Sequence, residues 1–282
     1  MHELANVFID RIVDRALEED LSSGDVTTEA CVDPSVQAVA HAVARTPLIA
    51  CGAAVFARVW TRLDPQLRVE QHLADGARAS RAAALWTVRG RARSILMGER
   101  VALNLTQRMC GVATATRLYV DAIPAGCATR ITDTRKTTPG LRVLERYAVR
   151  TGGGYNHRDN LGAAVLIKDN HVVASGGVRQ AILRAKQFAS HTCKIECEVD
   201  TLEQLEEALE AGADIVLLDN MDTDTVIEAI RRTGSRAMLE ASGGITLARV
   251  LELALAGIHA ISVGALTHST VASDIGLDFE AA

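Results

Sequence analysis

From Pro124 onward, short apolar runs that end in polar residues alternate with amphipathic stretches, and this alternation constrains the fold of the 282-residue chain more than any other feature. The apolar runs fall at 130–136, 164–168, 194–199, 215–218, 237–240 and 260–263. Helical patterns at 141–150, 178–190, 202–211, 225–232 and 247–256 separate them. Strands alternating with helices at this spacing call for a parallel sheet with right-handed crossovers. About six such units, with no GxGxxG after the first strand, predict an α/β fold of the βα-barrel (TIM-like) type rather than a dinucleotide-binding sheet.

The first hundred residues follow a different pattern. Leu4, Phe8, Ile12 and Leu17, with Val7 and Val13 beside them, mark a helical stripe that ends near Asp20 at the turn Ser22-Ser23-Gly24-Asp25. Short β-prone pieces at 36–43, 67–73, 85–88 and 92–96 are set apart by Pro47, Gly52, Asp64-Pro65, Asp75-Gly76 and Gly90, with one helix at 53–63. This predicts a small α/β layer with an antiparallel sheet. A proline-free helix over 99–123 carries Leu103, Gln107, Arg108 and Tyr119. The expected organisation is an N-terminal α/β sandwich with the connecting helix over 1–112 and a barrel domain over 113–266. The final segment, 267–282, is expected to return to the N-terminal domain.

Composition narrows the function classes. A net charge of −5 argues against a general nucleic-acid binder, so any anion site must be local. Aromatic residues at 3% leave little material for base-stacking surfaces. The six cysteines form no CxxC pair and have no histidine partners at zinc spacing, which fits reduced thiols in the cytosol. No apolar run approaches the ~18 residues of a membrane span. The N-terminus also lacks a basic and an apolar signal region. A cytoplasmic protein is expected.

In a βα-barrel the reactive groups sit where strands end. Those positions hold Asp133-Thr134-Arg135-Lys136, Lys168-Asp169-Asn170-His171, Glu198, Asp219-Asn220, Ser242-Gly243-Gly244 and Ser262-Val263-Gly264-Ala265. Singly, Arg135, Lys136, Arg158 and Lys168 read as readily as solvated surface charges. At successive strand ends they point to a carboxylate and phosphate site. The run Gly152-Gly153-Gly154-Tyr155-Asn156-His157-Arg158 either terminates a helix or lets backbone approach a ligand beside three polar heads. Whether His157 donates a proton or only a hydrogen bond stays open. In the strand Ile195-Glu196-Cys197-Glu198-Val199 the two glutamates share a face. Glu198 lies nearer the active end, and Glu196 is expected to be an internal partner for a cation. Glu198 and Asp219, on adjacent strands, suit Mg²⁺ held directly, through water or through pyrophosphate. Ser242, Gly243 and Gly244, with Val263, Gly264 and Ala265, occupy strand ends where barrels bind phosphate through backbone N–H groups.

Together, the DTRKTTPG, GGGYNHR, KDNH, EASGGI and SVGA segments resemble the quinolinate phosphoribosyltransferase family, as do the N-terminal ALEEDLSSGDVTT and GERVALNLTQRMCGVAT segments. The resemblance covers nearly the whole chain. It implies an N-terminal α/β sandwich plus an incomplete βα-barrel, acting as a homodimer on quinolinate and phosphoribosyl pyrophosphate, with Mg²⁺ and no organic cofactor. By similarity Arg135, His157, Arg158 and Lys168 surround the quinolinate carboxylates, and Arg108 reaches in from the partner subunit. Lys136, Glu198 and Asp219 serve phosphoribosyl pyrophosphate and its metal, while Ser242, Gly243, Gly244, Gly264 and Ala265 cradle the 5′-phosphate. Lys136, Lys168, Glu198 and Asp219 are the expected catalytic residues, with Thr134 and Val263 beside the substrate. Two places depart from the family pattern: the 76–81 turn, and Cys110 where a small hydroxyl residue is expected. Rival readings are a paralogue of the same fold associated with molybdate transport, and a non-catalytic sensor of a phosphate ligand.

Overall fold

The computed structural model describes residues 4–281. The chain divides into two compact units. The first comprises the chain up to Arg117, Thr137–Gly153 and the chain from Leu266 onward; the second comprises Leu118–Lys136 and Gly154–Ala265.

The first unit begins with helices α1 (Asn6–Leu21) and α2 (Val26–Cys31), followed by strands β1 (Gln37–Ala44) and β2 (Leu48–Ile49) and helix α3 (Ala53–Leu63). Strands β3 (Arg68–Gln71), β4 (Arg78–Ala79) and β5 (Ala84–Arg91) lead directly into helix α4 (Ala92–Asp121). Strand β1 pairs antiparallel with β5, and β3 adds to the far side of β5. Ala38, Ala40, Ala42 and Ala44 on one face of β1 are buried, the period of two expected of a half-buried strand. Their small side chains leave room for Trp60, Trp86 and Phe56, which fill the core, with the Phe56 and Trp86 rings stacked at 4.8 Å.

Two expectations in this unit are corrected. Residues 92–96 belong to α4 and not to a strand, so the long helix starts seven residues earlier than its pattern suggests. No glycine or proline punctuates the junction after Arg91. The change of direction is held by buried Asp64, which accepts from Arg91 Nε at 2.7 Å and Ser94 Oγ at 3.0 Å. In α1 the buried positions are Ile9 and Val13, whereas Val7 and Phe8 are exposed. Ion pairs of Arg58 with Asp10 and of Arg62 with Asp14 tie α1 to α3, so the helix docks by charge as well as by its narrow apolar face.

The second unit holds six parallel strands: β6 (Arg130–Thr132), β7 (Val165–Ile167), β8 (Ile195–Val199), β9 (Ile215–Asp219), β10 (Met238–Ser242) and β11 (Ala260–Ser262). Helix α5 (Arg142–Thr151), which follows β6 in sequence, belongs to the first unit. Helices α6 (Asp169–Ser175), α7 (Val178–Phe188), α8 (Leu202–Glu210), α9 (Thr223–Thr233) and α10 (Leu247–Ala256) connect the later strands. Thr201, Asp222 and Thr246 cap α8, α9 and α10 through their side-chain oxygens. The short α6, directly after Lys168, has no counterpart in the sequence reading, because its seven residues are too few to show helical periodicity.

The strand order is β6-β11-β10-β9-β8-β7. Neighbours in sequence, β6 and β7 lie at opposite ends of the sheet, so the barrel is incomplete, as expected. The edge of β6 is not bare. Tyr155 bridges Thr132, with Tyr155 N donating to Ile131 O at 2.8 Å and Asp133 N to Tyr155 O at 3.1 Å. The glycine run therefore feeds a strand-like stub onto that edge, and His157 and Arg158 emerge from it. Short α11 (Ala265–His268) and strand β12 (Ile275–Ala281) follow, and β12 returns to pair antiparallel with β1 in the first unit.

Candidate active site

Every strand of the open barrel contributes a polar side chain at its C-terminal end to one cavity of about 390 Å³. Thr134, Arg135 and Lys136 come from beyond β6, Lys168 from β7, Glu198 from β8, Asp219 from β9, Ser242 from β10 and Ser262 from β11. His157 and Arg158 join from the stub beside β6, and Leu166, Leu217 and Glu240 complete the lining. The convergence follows from the topology, since parallel strands all end on the same side.

The cations are not evenly spread. Burial lowers the proton affinity of Arg158, and the neighbouring Arg135 guanidinium lowers it further. Two like charges held together in a part-buried wall favour an anion with more than one negative charge. Lys168 Nζ sits 2.7 Å from Glu198 Oε2. Asp219 Oδ2 accepts from Asn220 Nδ2 at 2.7 Å. As hard oxygen donors at the ends of adjacent strands, Glu198 and Asp219 suit a divalent cation such as Mg²⁺.

Beneath these groups lies a cluster that the sequence reading did not assemble. Asp133, fully buried, accepts from Asn156 Nδ2 at 2.6 Å and from His157 N at 2.7 Å, which fixes the stub. His157 Nε2 stands 3.1 Å from Glu196 Oε2 and 3.5 Å from Glu240 Oε1. Glu196 is thus internal, as expected, and its partner there is His157. Arg158 N donates to His157 Nδ1 at 2.7 Å. Burial opposes a charge on the ring, but the carboxylates of Glu196, Glu240 and Asp133 outweigh it and raise the ring's proton affinity above that of a free imidazole. The Arg158 N–H points at Nδ1, so in the neutral ring the hydrogen sits on Nε2. That tautomer also disfavours a metal at the His157–Glu196–Glu240 group, because Nε2 has no lone pair to offer.

Glu240 is the residue that sequence reasoning missed. Burial, followed by the charge of Glu196, pushes its carboxyl up to about 7. A signal was available: Glu240 stands between Leu239 and Ala241 in an otherwise apolar strand, the same pattern that singled out the glutamates of β8.

The phosphate-type turns are interlocked. Gly243 adopts φ 87°, and Asn220, also left-handed at φ 54°, donates its N–H to Ser242 O at 3.0 Å. Gly244 is left-handed too, at φ 57°. Among the expected site residues, Arg108 lies in the first unit and not in this cavity. It is held there by Glu145 and by the carbonyls of Thr267 and Thr270. Gly243, Gly244, Val263, Gly264 and Ala265 flank Ser242 and Ser262 without lining the cavity themselves.

The second unit is therefore an anion-binding incomplete βα-barrel with a mixed cationic and carboxylate mouth. The family model for the N-terminal domain of quinolinate phosphoribosyl transferase matches residues 25–110, and that for its C-terminal domain matches residues 112–278. The chain belongs to the quinolinate phosphoribosyltransferase family. It is 42% identical over 260 residues to the probable nicotinate-nucleotide pyrophosphorylase (carboxylating) of Bacillus subtilis, covering 92% of this chain and 89% of that protein. To the nicotinate-nucleotide pyrophosphorylase (carboxylating) of Mycobacterium leprae it is 44% identical over 270 residues, covering 94% of each. The crystal structure of NadC from Streptococcus pyogenes superposes with a TM-score of 0.95 at 38% identity, covering 100% of both chains.

Proposed function

We propose that this chain transfers the phosphoribosyl group of phosphoribosyl pyrophosphate to quinolinate and decarboxylates the adduct, giving nicotinate mononucleotide, pyrophosphate and CO2 in de novo NAD biosynthesis. The observation that carries the reading is the convergence of Arg135 and Arg158, two like charges that repel each other, in the lining of one cavity in a member of this family. A dicarboxylate relieves that repulsion through paired N–H···O contacts. Lys168 adds a point charge, and His157 shapes the wall beside them.

Lys136, Glu198 and Asp219 serve the pyrophosphate side, where Glu198 and Asp219 would hold Mg²⁺. When bound, the metal neutralises charge on the leaving pyrophosphate. Ser242 to Gly244 and Val263 to Ala265 receive the 5′-phosphate through backbone N–H groups. Carboxylates near the sugar favour the positive charge that develops at the ribosyl carbon as pyrophosphate departs. Thr134 lies between Asp133, which fixes the stub, and the cations. Once the pyridine nitrogen carries ribose it is cationic and stabilises the carbanion left by CO2, so no organic cofactor is needed.

The assembly we infer is a homodimer in which Arg108 enters the partner's site. A cytosolic setting agrees with six free cysteines and with the lack, among the described residues, of any helix long and apolar enough to cross a membrane. The test is quinolinate-dependent and Mg²⁺-dependent release of CO2 by the purified protein. A folded protein that binds phosphoribosyl pyrophosphate but releases no CO2 would sink the reading and favour a phosphate-ligand sensor.

A further inference from the structure

After CO2 leaves, the pyridine carbon must gain a proton, and most groups of the cavity are poor donors. Arginine does not give up protons near neutrality, which removes Arg135 and Arg158. The Lys168 ammonium, 2.7 Å from Glu198, lies at the strand ends among the charged groups of the mouth. The Nε2 hydrogen of His157 is directed at Glu196. Lys136 is exposed to solvent.

Glu240 differs from all of these. It lines the cavity, is 6% exposed, and its Oε1 makes no hydrogen bond. Ser262 Oγ on the next strand faces Glu240, and Thr132 Oγ1 on the strand beyond is buried without a hydrogen-bond partner. The strand registers set Glu240 opposite Leu217, and Ser242 opposite Asp219. Glu240 therefore lies two residues deeper than the polar strand ends. Its cavity neighbours at that depth include Leu217. An ionised carboxylate there would repel a dianionic substrate held by Arg135, Arg158 and Lys168, whereas a neutral carboxyl would not. A dianionic substrate held there favours the protonated form of Glu240, which places an acid in the cavity wall.

We propose that Glu240 is the general acid that protonates the pyridine carbon vacated by CO2. The inference rests on the quinolinate reading of the cavity. The C–C bond to the carboxylate breaks, CO2 leaves, and the electron pair stays on the ring carbon beside the cationic nitrogen. The O–H bond of Glu240 then breaks as the new C–H bond forms, and solvent restores the proton when the products depart. The groups facing Glu240 are Glu196 from β8, His157 from the stub, Asp133 beyond β6 and Ser262 from β11. Burial and Glu196 hold its proton up to about neutral pH.

The experiment compares the full-length wild type with Glu240→Gln, each shown to be folded by thermal melting. Turnover is followed from pH 6 to 9, and the hydrogen-to-deuterium ratio at the new C–H position is read by NMR after reaction in mixed light and heavy water. For Glu240→Gln the expected results are a kcat about 100-fold lower, a quinolinate KM within about threefold of wild type, and a shifted isotope ratio. The variant should also lack the alkaline fall in rate expected of the wild type. An unchanged isotope ratio with kcat within about threefold overturns the proposal and points to Lys136 or water as donor. Should Glu240→Gln not fold, the wild-type profile decides, and a flat rate from pH 6 to 9 overturns it. Wild-type protein that releases no CO2 overturns the functional reading, and the inference falls with it.

Discussion

Arg108 and Glu145 meet in the first unit, with Arg108 Nε and Nη2 converging on Glu145 Oε1 at 2.9 and 2.8 Å. The carboxylate is fully buried while the guanidinium side chain is 21% exposed. Thr138 closes the other side, donating its N–H to Oε2 at 3.0 Å and its hydroxyl to Oε1 at 2.7 Å.

A buried carboxylate with this many donors is costly to strand. Replacing Arg108 by Ala leaves Glu145 charged and without its cation, and should lower unfolding free energy by about 3 kcal/mol. Pairing it with Glu145→Gln should recover part of that loss. Urea denaturation of both singles and the double gives the coupling. Additive losses would mean that the pair contributes no net interaction.

The dicarboxylate clamp makes a separate prediction for Arg135. Arg135→Ala removes charge-assisted hydrogen bonds worth about 1.5–3 kcal/mol, so quinolinate KM should rise roughly 10- to 100-fold. The KM for phosphoribosyl pyrophosphate should move by less than about threefold. Initial-rate kinetics with each substrate varied in turn decide it. Equal losses for both would contradict the division of the cavity.

Gly243 tests the phosphate turn. A Cβ at this position would collide with Asn220 Oδ1 and stand 2.9 Å from Asn220 N, on a backbone at φ 87°. Gly243→Ala should weaken phosphoribosyl pyrophosphate binding at least tenfold, with about 1–2 kcal/mol of local strain. Calorimetric titration reads the first effect and thermal melting the second. Unimpaired binding would remove the turn from the phosphate site.

Asp64 predicts an acid-sensitive junction between β5 and α4. Hydrogen bonding from Arg91, against the opposing effect of burial, holds its carboxyl down to about 2. A depressed pKa contributes stability that is present above the unfolded value of about 4. That stability is lost as pH falls toward 2. The stability difference between wild type and Asp64→Asn should therefore shrink between about pH 4 and pH 2. Chemical denaturation at several acid pH values measures it, and a constant difference would argue against an ionised Asp64 as the clamp.

How much could be read in advance depended on range. The six parallel strands were legible because helical and strand periods alternate along the chain, and the strand-end residues followed from that alternation. Residues 92–96 misled because five residues are too few to show a period alone, although Ala92, Ile95 and Leu96 already stand at helical spacing. Phe8 misled because an apolar residue on a helix names a candidate face, while packing against α3 selects Ile9 and Val13 instead. Helix α6 escaped because a single turn or two leaves no periodic trace.

By itself, then, the sequence determined the barrel, the anion-binding chemistry of its mouth and the residue types delivered there. Tertiary structure alone decided that His157 turns its Nε2 toward Glu196 and Glu240, that Arg158 and Arg135 converge in the lining of one cavity, and that Glu240 keeps its proton to about pH 7. Those are properties of burial and of distances between residues as far apart in the chain as 157 and 240. Local periodicity places side chains on faces, but a pKa or a tautomer is set by which charges and dipoles the folded chain brings within a few ångströms.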